Sequence, residues 1–399
     1  MRLWVSETIG AFGRRVTALA LPTVAILILN ANSFQIGILN GLEDLAFPLF
    51  GLLVGVWADR WHRRPMMVYA NLGRMIVTAS VPVAFLFAAL HMYLLFAVAF
   101  GTGLFTVFFD IAYQSYLPTL VDRSDLIEAN SKLETSQSAA LTAGPALAGL
   151  LIAAVGAALA IVVDACAYLA SAVLIFSIRK SEPSPGQKSK RSFQAELKDG
   201  VRAVFGNSIL RRIAACTATL NLGSGIFFAV FLLFAYDQLK LSVIAVGFIF
   251  GLGSVGFLIG AFSASAIAQR LGLGRTLALS MVISGFGLAA VPLALYGPPV
   301  PILTVVWMVS NIFIPVYNIN QISLRQAITP DRIQGRMNAT MRTFVWGVLP
   351  LGSLIGGILG TQFGFVWTMV IGALLSGCGV VWVSFAPVIS IRDVPQAPL

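Results

Sequence analysis

Carboxylates are poorly tolerated inside long apolar runs, and among those that stand there are Glu43, Asp44, Asp110 and Asp164. A charge at the centre of a bilayer costs at least about 2.5–3.5 kcal/mol on insertion scales, so each needs a partner, a wet cavity or a proton. A proton would make the group a proton carrier. A partner would make it a structural hydrogen bonder or one side of an ion pair. Glu43 and Asp44 project about 100° apart on a helix, so the two do not face one site. Arg14 and Arg15 lie inside the first apolar run. At about 1.5 Å per residue, Arg14 and Asp110 both fall in the half of the membrane nearer the basic loops. A pair between Asp110 and Arg14 or Arg15 would neutralise charge or form a contact for an anionic ligand. Asp164 reads as structural.

A second constellation is the charged hinge Gly55-Val-Trp-Ala-Asp59-Arg60-Trp-His-Arg63-Arg64. Gly55 is small enough for close helix approach. Asp59 suits the N-terminus of a neighbouring helix, such as one beginning near Gly335, where the dipole favours negative charge. Arg60, Arg63 and Arg64 would hold acidic or carbonyl partners. The cluster could latch two halves of the chain on one side, or each arginine could serve only as a topology determinant. A partial copy follows as Ala268-Gln-Arg270-Leu-Gly272-Leu-Gly274-Arg275, at an offset of 270 − 60 = 210 between the arginines. Asp122 to Asp331, Gln114 to Gln321 and Asn130 to Asn338 keep that offset within three residues. A fixed period marks a duplicated unit, and duplicated membrane halves are how many transporters are built.

The elements that must carry these groups follow from composition. With 58% hydrophobic and 11% charged residues and a mean hydropathy of +0.89, the chain is far from a soluble domain, in which about a quarter of residues are charged. Apolar runs near the roughly 20 residues of one crossing predict spans at 4–29, 35–57, 66–90, 93–117, 132–153 and 156–178. A second set falls at 209–235, 243–268, 276–296, 300–324, 339–361 and 366–386. The fold class is an all-α membrane protein of twelve transmembrane helices, six in each half. The domains are an N-terminal bundle (1–178), a linker (179–208) and a C-terminal bundle with a short tail (209–399). The Pro-, Ser- and Lys-rich linker reads as flexible. Phe193, Leu197, Val201 and Val204, at helical spacing, predict a short amphipathic helix on the membrane.

Lys and Arg set the orientation. The short connections 30–34, 91–92, 154–155, 297–299 and 362–365 contain neither, and Lys240 is the outer-side exception. The other side holds the hinge arginines, Arg123, Arg332, Arg336 and the middle loop, which places both termini in the cytoplasm. The formal charge of +10 matches anionic inner-leaflet lipid and calls for no nucleic acid. Cys166, Cys216 and Cys378 all fall in apolar spans at no metal-ligand spacing, so neither metal nor disulfide is expected. The first run, with Glu7, Arg14 and Arg15, is too long and too charged for a cleavable signal peptide. No phosphate-binding loop, nucleophile elbow or zinc-protease helix is present, so no enzyme activity or cofactor is expected, and uphill movement must draw on an ion gradient.

The residues Gly55 to Arg64 resemble the signature between helices two and three of the major facilitator superfamily. His62 stands where that family usually has Gly, and Trp57 replaces a common Leu. Gly144, Pro145 and Gly149 are similar to the Gly-Pro motif of the family's antiporters. The closer resemblance is to the branch of macrolide-efflux proteins and enterobactin-type exporters. It is carried by Phe108–Pro118, the Asp122–Asn130 loop, Ser323–Arg332 and Gly335–Arg342, and runs from about residue 4 to 386. Asp44 and the Arg14-Arg15 pair depart from the pattern. Glu43 fits the branch better than Asp44 and is preferred as the proton site, with Asp44 and Asp110 as further candidates.

The resemblance implies two six-helix halves rocking about a central cavity bordered by spans one, four, seven and ten. Its candidate lining here is Arg14, Phe227, Phe228, Tyr317, Asn318, Asn320 and Gln321, whose polar members alternatively serve helix–helix hydrogen bonding. The expected function is proton-coupled export of small amphiphilic molecules by a monomer in the cytoplasmic membrane, with protons, substrate and lipid as partners. Import, lipid flipping on the same fold, and a non-transporting membrane sensor are the alternatives.

Overall fold

A chain in lipid has no water to satisfy its backbone N–H and C=O groups, so a crossing must close its own hydrogen bonds. The structure, a computed structural model, describes residues 1–58, 61–120, 126–179 and 193–393, and every regular element among them is helical. The first half comprises α1 (Arg2–Leu27), α2 (Ser33–Ala58), α3 (Arg63–Leu86), α4 (Met92–Leu120), α5 (Leu126–Val155) and α6 (Ala157–Phe176). The second comprises α7 (Phe193–Gly206), α8 (Ser208–Leu233), α9 (Val243–Leu271), α10 (Leu273–Met281), α11 (Pro299–Ile328), α12 (Asp331–Trp346), α13 (Leu349–Cys378) and α14 (Val380–Val383).

Ten described stretches are long and apolar enough to cross a bilayer, and the 26-residue α2 adds another. One of the ten, Ile333–Val383, has 51 residues, more than twice the roughly 20 that a crossing needs. Gly364 divides it. Its φ of 76° and ψ of 172° belong to a region open almost only to glycine. The result is twelve membrane-length rods, six in each half. α10 continues through a π turn (Val282–Phe286) and a tighter 3₁₀ stretch (Gly287–Leu295) containing Pro292, whose missing N–H removes one helical bond.

Contacts divide the chain into two compact units, Met1–Lys188 with Ala235–Gly251, and Ser189–Phe234 with Leu252–Leu399. In the first, α1 packs on α5 and α6, α3 on α4 and α6, and α2 on α4. Its apolar core includes Met67, Val107, Phe109, Tyr116 and Ile175. The start of α9 belongs to this unit, with the Gly149 backbone of α5 against Gly247.

In the second unit α8 lies along α13 with glycine on both sides of the seam, Gly223 facing Gly372 and Gly225 facing Gly352. A methyl on Gly225 would stand 2.8 Å from the Leu349 carbonyl oxygen. Small residues are what lipid-embedded helices use to come close, because lipid gives no hydrophobic drive for their association. Asn207 caps α8, accepting from the N–H groups of Ile209 (2.9 Å) and Leu210 (3.2 Å). The linker helix α7 is not left on lipid alone. It packs on α12 through an Asp199–Arg336 ion pair of 2.9 Å and a Phe205–Phe344 edge contact of 5.3 Å, with Gly200 against the Arg336 carbonyl.

Candidate functional site

Charged groups collect in the core of the first unit. Arg74 of α3 is 1% exposed. Its guanidinium lies 4.2 Å from the Phe109 ring of α4 and 4.6 Å from the Tyr168 ring of α6. It donates to Asn71 Oδ1, while Nε and Nη1 have no hydrogen-bond partner. Ring faces therefore take over part of what acceptors would supply. Asn71 Nδ2 donates to Ser171 Oγ at 2.7 Å, and Ser171 meets Ser6 of α1 at 2.6 Å. Glu7, buried on α1, pairs with Arg14 at 3.9 Å. Asp164 of α6 is fully buried against Gly13, beside Thr17 and Tyr168. Glu7, Arg14, Arg74, Asp110 and Asp164 lie close enough to act on one another's charge.

Arg74 was not singled out by sequence, and Glu7 entered only as evidence against a leader. The insertion-cost argument applied to the acids applies equally to a lone arginine in an apolar run. Arg14 does lie near Asp110, as the sequence suggested, but its ion pair here is with Glu7. Glu43 is exposed and Asp44 half-buried on α2, with the Glu43 carbonyl against Gly103 of α4.

Within the charged hinge, Asp59 and Arg60 lie outside the described residues. So does Asp122–Asp125 of the first charged loop. Arg64 donates to the Phe176 carbonyl and sits 5.4 Å over the Phe176 ring. It therefore supplies a donor and a positive charge to the C-terminal end of α6, as a helix end requires. Arg2 does the same at the Ser177 carbonyl. Trp57 and Trp61 stack at 6.2 Å. No described atom comes within 4 Å of a Cβ built on Gly55. The antiporter-like segment does sit at crossings. Gly144 backs onto the Arg15 side chain, and a methyl on Gly247 would stand 2.6 Å from the Pro145 carbonyl oxygen.

The second unit encloses a cavity of about 620 Å³, within the range of small-molecule sites. Four helices line it, largely with residues spaced three and four apart, together with Ser284 and Leu288 of the stretch after α10. α8 gives Thr217, Asn221, Ser224 and Phe228; α12 and the start of α13 give Asn338, Arg342, Val345 and Leu349. α11 gives Trp307, Asn311, Ile314, Asn318, Gln321 and Arg325. Arg325 donates to Gln321 Oε1 at 3.1 Å and Asn338 Oδ1 at 2.6 Å. Asn221 and Asn311 are oriented by amide bonds to the Val345 carbonyl (2.8 Å) and the Gly253 carbonyl (3.3 Å).

Of the aromatic and amide candidates, Phe228, Asn318 and Gln321 line this cavity. Phe227, Tyr317 and Asn320 do not. Phe227 is buried on Phe231 at 5.6 Å, Tyr317 shares a hydroxyl bond of 2.7 Å with Thr217, and Asn320 donates to the Val316 carbonyl at 2.8 Å.

Comparison with known proteins fits this architecture. A family model described as transmembrane secretion effector matches residues 1–397. The multidrug efflux pump Tap of Mycolicibacterium fortuitum is 25% identical over 379 residues, 91% of this chain and 89% of that protein. The enterobactin exporter EntS of Escherichia coli O1:K1 / APEC is 24% identical over 369 residues, 89% of this chain and 83% of that protein. Among solved structures, the nucleoside transporter NupG superposes with a TM-score of 0.76 at 14% identity, covering 96% of this chain and 97% of that one. An inward-facing bacterial homologue of the iron transporter ferroportin gives 0.73 at 18% identity, covering 96% and 99%. At such identities these structures are likenesses of fold.

Proposed function

Because the chain belongs to the transmembrane secretion effectors of the major facilitator superfamily, we propose that it moves small amphiphilic molecules out of the cytoplasm in exchange for protons. The chain is a multi-pass membrane transporter that exports small molecules, not an enzyme. Proton exchange, alternating access and the amphiphilic character of the cargo are the parts proposed.

The observation that supports the proton coupling is the gathering of carboxylates in the first unit. Glu7, Asp110 and Asp164 lie near Arg14 and Arg74. A carboxylate charge at membrane depth is costly, and a bound proton removes it. Glu43, on exposed surface of α2, is the group we assign to proton exchange, with Asp44 and Asp110 as further candidates. One charge moving through 100 mV supplies about 2.3 kcal/mol, enough to drive a modest gradient of cargo.

Around this core, residues 1–178 and 209–399 are read as the two rocking halves, joined by 179–208. The segment Gly55–Arg64 is read as their cytoplasmic latch. The protein is placed as a monomer in the cytoplasmic membrane, surrounded by lipid, with both termini inside.

Inside-out vesicles given a substrate panel and an imposed pH gradient test the reading. Substrate accumulation with proton release is expected. Uptake driven instead into right-side-out vesicles overturns the direction. Glu43→Gln is expected to keep binding and lose the pH dependence of transport; an unaltered pH profile removes Glu43 from the coupling.

A further inference from the structure

We infer that the cavity of the second unit selects organic anions, an aromatic or otherwise amphiphilic body carrying a carboxylate or similar oxyanion seated at Arg325 and Arg342. This rests on the export reading and names the class of cargo for it.

The cavity has an ordered chemistry along its length. Trp307 and Arg325 are 18 positions apart on α11, about 27 Å at 1.5 Å per residue. Arg325 lies in the last turn of that helix, at the end the basic loops mark as cytoplasmic. Phe228 meets Trp307 edge-on at 5.4 Å, forming an aromatic end. Asn311 and Asn318 line the stretch between. The bond from Arg325 to Asn338 ties α11 to α12 and leaves Arg342 one turn further along the same cavity-facing stripe, with its guanidinium 5.3 Å over the Trp346 ring.

Charge balance separates this cavity from the cluster in the first unit. There, Arg14 has a carboxylate beside it. Here, the acceptors on Arg325 are neutral amides, and its Nε is buried without a hydrogen-bond partner. The positive charge is held in place but not neutralised. Among the described lining residues there is no Asp or Glu. The sequence reinforces this, with no acidic residue between Asp237 and Asp331 or between Asp331 and Asp393. A cationic molecule entering would meet the like charge of Arg325, in surroundings that screen poorly. An oxyanion would meet planar guanidinium donors, the geometry that carboxylates and phosphates prefer.

The test uses the full chain in lipid nanodiscs and three matched probes: naphthylacetate, naphthylacetamide and naphthylethylamine. Binding is read by tryptophan fluorescence. Naphthylacetate should bind at least roughly tenfold more tightly than the other two, the size of one charge-assisted hydrogen bond. Arg325→Gln should erase most of that margin, and Arg325→Lys should keep part of it. If Arg325→Gln does not fold, Arg342→Gln is measured in its place with the same expectation. Equal or tighter binding of the amine overturns the inference, as does an acetate-to-amide ratio unchanged in a folded variant. Export of the amine by vesicles that neither bind nor move the acetate refutes the anion class and leaves export standing. Tight acetate binding with no transport of any probe refutes export and leaves the class standing.

Discussion

Arg74 is the residue on which the first unit's interior turns, and Arg74→Met isolates its contribution. The unbranched Met retains much of the volume between the Phe109 and Tyr168 rings, so little of the loss is a cavity effect. What disappears is a charge held by two ring faces, together with its bond to Asn71. What remains is Glu7, Asp110 and Asp164 near Arg14, with one cation fewer. Removing one member of a buried charge assembly costs about 3–5 kcal/mol, because the survivors stay desolvated. For a folding unit of this size, each kcal/mol moves the melting midpoint by about 2–4 °C, so a fall of about 6–20 °C is expected. The assay is thermal unfolding of the detergent-purified protein, followed by intrinsic fluorescence and by loss of the monodisperse peak after heating. Arg74→Lys should fall between, since an ammonium keeps the charge but not the planar stacking. Adding Asp164→Asn to Arg74→Met should return about 1–3 kcal/mol, because it removes a carboxylate left without compensation. A midpoint for Arg74→Met within about 2 °C of the parent would refute the reasoning. So would strict additivity in the double variant, because it would mean the groups do not feel one another.

Three further outcomes follow from packing and exposure. Gly223→Val would push a side chain into the backbone of Gly372 and Ser376, and about 3 kcal/mol of overpacking strain should appear as a lower melting midpoint. Asp199→Asn breaks an ion pair whose acidic side chain is 48% exposed, so at most about 1 kcal/mol is lost, and the difference should shrink in high salt. Gly364→Ala places a Cβ at φ 76° and ψ 172° and should cost about 1–3 kcal/mol in the same melts, although no described atom lies within 4 Å of the added methyl.

The spans illustrate what could be read from the chain. The run at 4–29 becomes α1, Arg2–Leu27, and the run at 243–268 becomes α9, Val243–Leu271. Gly364 falls inside the connection expected at 362–365 and makes the break between the last two crossings. The cavity was harder to read. Tyr317, Asn318, Asn320 and Gln321 are near neighbours in sequence, yet successive helical positions turn by about 100° and face different surroundings. Asn318 and Gln321 fall on the stripe with Trp307 and Arg325, while Tyr317 turns to α8 and Asn320 to a backbone carbonyl of its own helix. Arg74 escaped notice for a related reason. Its ring partners lie 35 and 94 positions away in the chain, and no local pattern announces them.

Crossing number and crossing length were both present in the amino-acid order. Each depends on sums over neighbouring residues, the transfer of about 20 side chains into lipid. Which polar groups meet was decided only when the helices took their rotations and crossing points, set by glycine contacts such as Gly103 on Glu43 and Gly223 on Gly372. A turn of one helix by a single position would exchange Asn318 for a buried neighbour and move Arg325 off the cavity. The chemistry of this transporter therefore resides in helix phase, a property of the assembled bundle that hydropathy does not encode.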